Sequence, residues 1–286
     1  MGKLLRIFKQ YWQEVKWFFI QLRWGFVTVP KSTSPISGAV NFTIGVTTYK
    51  ERYETYLQPL VKKMVYLFPD TPIIIAVNGY HNQKEQEKYL QQITDWVAPY
   101  QNITLITYKE PQGLCKLWNQ MILKTTTDNV FLFNEDINIS KSFRDDLLVS
   151  GILNSAFGLI NGSYSHFMLN KSIIKKIGWF DERFPGIGYE DHDYEIRMAL
   201  AGKQVEHYNI VGIKNERVLP KDWSYGDQHD VILTKYSGPN EKHYFSKWEF
   251  SDTEQEGFVY VRIIQGYAKQ VEGMETPNFY MENELN

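Results

Sequence analysis

The sequence predicts an α/β fold in which a mostly parallel sheet is flanked by helices and preceded by an N-terminal amphipathic helix. Apolar residues make up 43% of the 286-residue chain, enough for a substantial core. From residue 40 onward, strand-like runs alternate with helix-like segments, which is typical of parallel sheets because each crossover carries a helix. The first 31 residues instead place apolar side chains at steps of three and four, the period of an amphipathic helix.

Each element has a local signal. The strands are short runs rich in apolar and β-branched residues, the second of them ending at the turn pair Asn78-Gly79, and the helices are longer segments of helical period. In such sheets, ligands bind beyond the carboxyl ends of the strands, so we expect the chemistry at residues 47–52, 78–81, 109–113 and 134–138. The predicted strands are residues 42–48, 72–78, 103–107 and 129–133, and the predicted helices are residues 56–68, 84–96 and 114–124.

Charge divides the chain into three predicted parts. Residues 1–37 form a basic amphipathic helix and a linker, with six Lys or Arg and one Glu before residue 32. Residues 38–250 form the α/β domain, and residues 251–286 are an acidic extension with seven acidic and two basic residues. No basic stripe runs through the middle of the chain, which predicts no nucleic-acid partner. The single cysteine excludes an internal disulfide and indicates a reducing compartment.

The N-terminal segment predicts a contact with a membrane surface rather than a membrane span. Its longest apolar run, residues 17–20, is far shorter than the roughly 20 residues that cross a bilayer, and no signal-peptide cleavage site follows. A helix with cationic edges and aromatic residues on its other face lies in the membrane interface. A helix docked on its own domain, or a dimer contact, is the alternative.

Two segments concentrate acidic residues. An apolar strand runs directly into Asn134-Glu135-Asp136, whose oxygens suit Mg²⁺ or Mn²⁺, although a polar turn would use the same residues. A glycine-rich turn at residues 186–188 leads into Glu190-Asp191 and a helix that ends near Gly202. Acidic residues also favour the first turn of a helix for electrostatic reasons alone, and this alternative stays open.

These segments resemble the GT-A glycosyltransferases, specifically the large family-2 group that uses nucleotide-diphospho-sugars. The resemblance covers roughly residues 40–215 and implies an inverting transfer of a sugar to a hydroxyl acceptor. It implies that Asp136 binds a divalent metal, Mn²⁺ or Mg²⁺, and that Glu135 lies near the ribose. Asn134 stands where the family more often has Asp. The other donor-binding positions that it implies are Thr47, Tyr49, Asn78 and Asn119.

The resemblance also implies the catalytic groups. Asp191 matches the base that deprotonates the acceptor hydroxyl, and Glu190 matches a residue that contacts the acceptor, whereas Asp193 is expected to be structural. A further metal ligand is expected from a C-terminal histidine, for which His229 is preferred over His207 and His243. Residues 179 and 180 are Trp and Phe, which suit either a sugar face or the core.

The predicted partners are a nucleotide-sugar donor, a UDP-sugar before others, and a glycan or lipid-linked acceptor. Residues 1–31 would hold the enzyme at the inner face of the membrane, in the cytoplasm, where surface polysaccharides are made. Three alternatives stay open at this point: a catalytically inactive nucleotide- or sugar-binding relative, a retaining GT-A transferase, and a glycoside hydrolase that uses the same kind of carboxylate pair.

Overall fold

A computed structural model describes residues 41–50, 52–216, 238–250 and 268–280 of the chain. The predicted N-terminal helix therefore lies outside the described residues. Strands within the described ranges are β1 (Phe42–Thr48), β2 (Ile73–Val77), β3 (Ile103–Thr107), β4 (Asn129–Asn134), β5 (Ile137–Ile139), β6 (Phe157–Ile160), β7 (Ser163–Asn170), β8 (Glu206–Tyr208), β9 (Ile213–Asn215), β10 (Trp248–Phe250) and β11 (Ala268–Gln270).

The central sheet has seven strands in the order β3-β2-β1-β4-β7-β6-β8. The pairs among β3, β2, β1 and β4 are parallel, and β7 runs antiparallel to both of its neighbours. The mostly parallel α/β sheet predicted from the sequence is thus confirmed. Two smaller sheets pair β5 with β9 and β10 with β11.

The first three α-helices lie within two residues of the bounds that the helical periodicity predicts. A π-helical turn at Tyr53–Leu57 precedes the first α-helix and accounts for its start two residues later than predicted. Asn82 caps the second helix by accepting a hydrogen bond from the backbone N–H of Glu85, at 3.4 Å. The α-helices of the described ranges are α1 (Gln58–Leu67), α2 (Gln83–Val97), α3 (Leu114–Lys124), α4 (Phe143–Val149), α5 (Lys171–Ile177), α6 (Glu190–Leu200) and α7 (Gly238–Lys247).

The sheet separates two hydrophobic clusters, because successive side chains of a strand point to opposite faces. In β2, Ile73, Ile75 and Val77 join the cluster with α1 and α2, whereas Ile74 and Ala76 join the cluster with α3, α5, α6 and α7. Both faces are therefore covered. This burial explains why the parallel strands are almost continuously apolar rather than alternating.

A bulge interrupts the pairing of β7 with β6 beside the end of β4. Leu159 pairs with Phe167, but its neighbour Ile160 pairs with Ser163, so that residues 164–166 of β7 are extra. Bulges of this kind re-aim side chains at the edge of a site. One of the extra residues, His166, lies opposite Phe133 of β4 and is 2% exposed.

The C-terminal elements pack beside α5 and α6 rather than standing apart. β10 and β11 form an antiparallel pair, and the backbone carbonyl of Tyr280 accepts a hydrogen bond from the Trp179 indole at 3.3 Å. Trp179 and Phe180 are 2% and 0% exposed, so of their two interpretations the core role is the correct one. The domain boundary at residue 250 stays a prediction, although residues 268–280 clearly contact the preceding part. Within the described ranges, no helix has the length and apolarity that a membrane crossing requires.

Candidate active site

An open pocket lies at the carboxyl ends of β1, β2 and β4, the edge of the sheet at which the strand pattern predicts ligand binding. It holds about 560 Å³ of empty space, its mouth to the solvent included. Its lining residues are Thr47, Thr48, Tyr49, Arg52, Asn78, Gln112, Leu114, Leu117, Asn134, Glu135, Asp136 and Ile187.

The ends of β1 and β4 meet in this pocket because the two strands are parallel neighbours. Thr47 and Asn134 are register partners, and the Thr47 hydroxyl donates a hydrogen bond to the Asn134 amide oxygen at 3.2 Å. This contact gives Asn134 a structural partner at the position where the resembling family more often has a carboxylate. Tyr49 follows at the pocket wall, half-buried, and its phenol oxygen accepts a hydrogen bond from Arg52 Nε at 2.8 Å.

Arg52 lies in the strand-end segment where the sequence predicts chemistry, residues 47–52, but the sequence reasoning gave it no role. Its Nε lies 3.5 Å from Glu135 Oε1, and its Nη1 lies 3.6 Å from Asp136 Oδ2. Burial raises the pKa of Glu135, and it raises the pKa of Asp136 also, while the nearby guanidinium opposes both shifts. The only local signal was a basic residue three positions after Tyr49, which by itself is an ordinary feature of a loop.

Asn78 lines the pocket, and its side chain ties two strand-end loops together. Its amide oxygen accepts hydrogen bonds from the backbone N–H groups of Gly79 and Gln112, both at 2.8 Å, and its amide nitrogen donates to the Gln112 carbonyl at 2.9 Å. Gly79 is required here because a Cβ atom would lie 2.1 Å from the Glu110 backbone. The geometry thus gives Asn78 a clear role in shaping the pocket wall; its predicted contact with a base stays a prediction.

Asn119 of α3 is fully buried and does not line the pocket. Its amide nitrogen donates to the Phe180 carbonyl at 2.8 Å and to Glu182 Oε1 at 3.0 Å, and its amide oxygen accepts from the Phe180 N–H at 3.1 Å. These bonds fix the segment between α5 and α6 against α3. Asn119 is therefore separated from the other predicted donor-binding residues, which the pocket brings together.

Glu190 and Asp191 open α6, and the turn before them reaches the same pocket through Ile187. Glu190 is 4% exposed, and burial together with the neighbouring Asp191 charge raises its pKa well above the usual range. Asp191 is less buried, and its Oδ1 accepts a hydrogen bond from the His192 N–H at 2.9 Å. Tyr189, which precedes the pair, has a φ of 73°, a conformation that L-residues seldom adopt.

The turn before α6 is held by Asn240 of α7, another residue that the sequence reasoning missed. The Asn240 side chain is fully buried, accepts a hydrogen bond from the Gly186 N–H at 2.8 Å and donates one to the Gly188 carbonyl at 2.7 Å. A single side chain therefore fixes both ends of a glycine-rich turn that lies more than 50 residues away along the chain. No local pattern could identify such a contact.

A buried ionic cluster fixes α6 itself. Lys247 Nζ lies 2.7 Å from Asp181 Oδ2 and 2.6 Å from Asp193 Oδ1. Arg197 Nε and the Trp248 indole donate to the two oxygens of Asp193, at 3.0 Å and 2.9 Å. The structural role predicted for Asp193 is thus evident from these contacts, which orient the first turn of α6.

The ionic cluster also explains the state of Asp181 and the place of one candidate histidine. Burial works to raise the pKa of Asp181, but hydrogen bonds from His243, Arg183 and Lys247 outweigh it and hold that pKa well below its usual range. His243 Nε2 lies 3.3 Å from Asp181 Oδ2, so this histidine belongs to the cluster. His207 is exposed on β8, and His229 lies outside the described residues.

A divalent metal does not fit the described residues on their own. Across residues 41–50, 52–216, 238–250 and 268–280, no group of three His, Cys, Asp or Glu side chains could hold a metal ion. Asp136, the predicted ligand, already faces the Arg52 guanidinium at 3.6 Å. The predicted metal site therefore stays a prediction, and the transfer of the sugar is proposed without it.

Comparison with known proteins finds a family match over part of the chain and solved structures with a similar fold. Residues 114–238 match the family model described as "Glycosyltransferase like family 2". No curated protein matches the chain in a sequence search. Among solved structures, GalNAc-T7 with UDP, GalNAc and Mn²⁺ has 10% identity and a TM-score of 0.53 over 73% of this chain and 48% of that one.

Two other solved structures are similar at lower scores. S. aureus TarS (residues 1–349) has 15% identity and a TM-score of 0.45 over 59% of this chain and 60% of that one. The mannosyltransferase PcManGT from Pyrobaculum calidifontis, with GDP-Man and Mn²⁺, has 11% identity and a TM-score of 0.45 over 70% and 64%. The chain thus spans less than two thirds of the length of each of these structures.

The sheet order, the pocket at the strand ends and the likeness to GalNAc-T7 define a GT-A fold. More particularly, residues 114–238, which include α3, β4 and the Glu190-Asp191 turn, are similar to the glycosyltransferase family 2-like domain. The resemblance stated from the sequence motifs is confirmed at this level.

Proposed function

We propose that the chain transfers a sugar from a nucleoside-diphosphate sugar to a hydroxyl acceptor, with inversion and with Asp191 as the base. The observation that carries this proposal is the contribution of Ile187 to the donor pocket. Through this residue, the turn that leads into Glu190-Asp191 borders the space between the ends of β1 and β4. A donor bound there would present its sugar toward the first turn of α6.

Thr47, Tyr49 and Glu135 are proposed to contact the nucleoside of the donor. The half-buried Tyr49 ring offers a flat apolar surface to a base, and Thr47 offers a hydroxyl beside it. GalNAc-T7, which shares the fold, was solved with UDP. A nucleoside diphosphate is therefore the ligand class we assign to the pocket, with a UDP-sugar as the first candidate.

The proposed reaction needs a base that the acceptor hydroxyl can reach. Asp191 is less buried than Glu190, whose pKa burial raises well above its usual range. In the proposed step, Asp191 takes the proton of the acceptor hydroxyl as its oxygen bonds to the anomeric carbon. The bond from that carbon to the diphosphate breaks on the opposite side, and the nucleoside diphosphate leaves with the electron pair. Glu190 is proposed to contact the acceptor.

Nucleotide binding is the first test of the proposal. The full chain is screened by thermal shift against UDP, GDP, ADP and CMP, because a ligand that binds the folded state raises Tm by mass action. We expect UDP or GDP to raise Tm and the corresponding sugar nucleotide to be consumed only when a glycan or lipid-linked acceptor is present. Stabilisation without turnover on any acceptor would instead favour the inactive relative, and a product that retains the anomeric configuration would favour a retaining transferase.

The acceptor and the cellular site belong to the same proposal. The basic segment of residues 1–31 is proposed to hold the enzyme at an anionic membrane surface, where lipid-linked or polysaccharide acceptors are made. Vesicles with and without anionic lipid, sedimented with the full chain and with residues 32–286, test this. Loss of binding in the shorter chain is expected, and equal sedimentation of both chains would contradict the membrane role.

A further inference from the structure

The donor pocket contains a positively charged side chain of the protein itself, that of Arg52. Arg52 lies four residues after the end of β1 and immediately before the π-helical turn, and it is 2% exposed. Among the described residues that line the pocket, it is the only one with a basic side chain. An arginine keeps its charge at any physiological pH, so this position of the pocket is permanently positive.

The two acidic residues of the β4–β5 turn share this arginine. Its Nε lies 3.5 Å from Glu135 Oε1, and its Nη1 lies 3.6 Å from Asp136 Oδ2. The guanidinium therefore lies against both carboxyl groups at once. In the resembling family, this turn is where a divalent ion would meet the donor diphosphate, so the positive charge of Arg52 occupies the neighbourhood of that ion.

The protein itself fixes the position of the guanidinium. Its central carbon lies 4.8 Å from the ring centres of both Tyr49 and Tyr56, and Nε donates a hydrogen bond to the Tyr49 hydroxyl at 2.8 Å. Tyr56 is itself 8% exposed and packed into the domain. Because aromatic rings and a hydrogen bond hold it, the cation would be in place before any ligand arrives.

We propose that Arg52 is the resident cation of the donor site: it neutralises the Glu135-Asp136 pair and binds the donor diphosphate, which makes nucleotide binding independent of a divalent metal. This inference rests on the proposed function. A diphosphate beside two carboxylates needs a positive charge between them, and a planar guanidinium can pair with phosphate oxygens in two parallel hydrogen bonds. Removing Arg52 should open the site to a metal ion, which would then supply the missing charge.

The charge of Arg52 should also weaken the binding of a metal ion. A Mn²⁺ ion at Asp136 would stand beside a fixed positive charge, and this repulsion weakens metal binding. Within the described part of the chain, no three-ligand group is available to compensate. We therefore expect wild-type protein to bind Mn²⁺ weakly and the Arg52→Gln variant to bind it at least about tenfold more tightly.

The experiment uses the full chain and two probes. UDP and GDP are titrated calorimetrically in excess EDTA and again in excess Mn²⁺, and Mn²⁺ alone is titrated by electron paramagnetic resonance. For wild type, EDTA should change the nucleotide Kd by less than about threefold. For Arg52→Gln, the Kd in EDTA should rise by at least about 30-fold, and Mn²⁺ should restore most of the loss.

Two further variants make the result specific. Arg52→Lys keeps the charge but not the planar fork, so it should bind nucleotide in EDTA with an intermediate Kd. Arg144→Gln makes the same chemical change on the half-buried face of α4, outside the pocket lining, and should alter neither titration. If Arg52→Gln fails to fold, the wild-type comparison in EDTA and the Arg52→Lys titration still decide the question.

Three outcomes would overturn the proposal: nucleotide binding by wild type that disappears in EDTA, an Arg52→Gln variant that binds nucleotide in EDTA as wild type does, or an unchanged Mn²⁺ affinity in that variant. A failure of the proposed function is distinguishable from these. If neither nucleotide binds wild-type protein with or without Mn²⁺, the assigned substrate class is wrong, and the Mn²⁺ titration alone still measures whether Arg52 excludes the metal.

Discussion

Replacing Lys247 by methionine tests whether the buried ionic cluster holds α6 in place. The Lys247 side chain is fully buried, and its ammonium group donates to Asp181 Oδ2 at 2.7 Å and to Thr276 Oγ1 at 2.6 Å, with Asp193 Oδ1 also at 2.6 Å. These contacts involve all three donors of an ammonium group. Methionine has a similar unbranched shape but removes the charge and all three hydrogen-bond donors.

The expected loss follows from the carboxylates that are left behind. Removing one partner of a buried ion pair typically costs about 3–5 kcal/mol, because the remaining charge has lost its partner. Here Asp181 keeps hydrogen bonds from Arg183, and Asp193 keeps one from Arg197. We therefore expect the lower end of that range, a decrease of about 3 kcal/mol in the free energy of unfolding.

Urea unfolding followed by tryptophan fluorescence measures this change, since the chain has 8 tryptophans. Lys242→Met, an exposed site on the same helix, is the matched control and should change the free energy of unfolding by less than about 0.5 kcal/mol. Adding Asp181→Asn to Lys247→Met should cost less than the two single changes together, because they share one interaction. A loss below about 1 kcal/mol for Lys247→Met would refute the role assigned to the cluster.

Three further substitutions address the pocket and its surroundings. Burial lowers the pKa of His166 to about 4, and a hydrogen bond with Asn215 opposes this shift. Because the unfolded chain takes up a proton here near pH 6.5 and the folded protein only near pH 4, the free energy of unfolding decreases as the pH falls between these values. His166→Leu should remove about 3 kcal/mol of this decrease, measured by urea unfolding at pH 7 and at pH 4. Gly79→Ala should weaken nucleotide binding, measured by calorimetry, because the new Cβ would meet the Glu110 backbone at 2.1 Å. Asn240→Asp removes the donor to the Gly188 carbonyl and should raise the acceptor KM in a transfer assay while leaving the nucleotide Kd unchanged.

Each of these has its own control. An unchanged pH dependence in His166→Leu would show that this histidine is not neutral when the protein is folded. Gly238→Ala, where a Cβ atom meets nothing within 4 Å, should leave nucleotide binding unaltered, and equal effects at both glycines would argue against the close approach at Gly79. A parallel loss of donor and acceptor affinity in Asn240→Asp would point to general disruption rather than to the turn before α6.

The parallel part of the fold was predictable because its signals are local. The bounds of β1, β3 and α3 coincide with the predicted ones, since each is a run of uniform character closed by polar or glycine residues. β2 begins one residue later than predicted, at Ile73, after Pro72, which has no N–H to donate. The Pro72 carbonyl nevertheless accepts a hydrogen bond from Ile44 N at 2.9 Å.

The site was predictable only in part, because several of its contacts join distant segments. The strand-end rule brought Thr47, Tyr49, Asn78 and Glu135 into one pocket. The role of Arg52 depends on how β1 and β4 pair across the sheet, and nothing in residues 49–52 alone reveals it. Asn240 and Lys247 lie more than 50 residues from Gly186 and Asp181, which they bind, and only the folded chain brings them together.

Burial also separated two roles that the sequence could not distinguish. Trp179 and Phe180 suited a sugar face equally well by composition, but the fold places both in the core, where Phe180 packs against Trp118 at 5.0 Å between ring centres. Ile196 and Leu200 lie four residues apart on α6, but Leu200 is 53% exposed, whereas Ile196 is 1% exposed. The helix ends there, and its last turn extends beyond the core.

Single-turnover transfer by Asp191→Asn, measured beside its nucleotide affinity, tests the central claim most directly. The substitution keeps the size of the side chain and removes its ability to accept the acceptor proton. We expect transfer to fall by at least about 100-fold, the range for general-base catalysis, with the nucleotide Kd within about twofold of wild type. Asp145→Asn, an exposed acid on α4, should leave both unchanged. Transfer that persists near the wild-type rate, or a loss fully explained by weaker nucleotide binding, would contradict the assignment of Asp191 as the base.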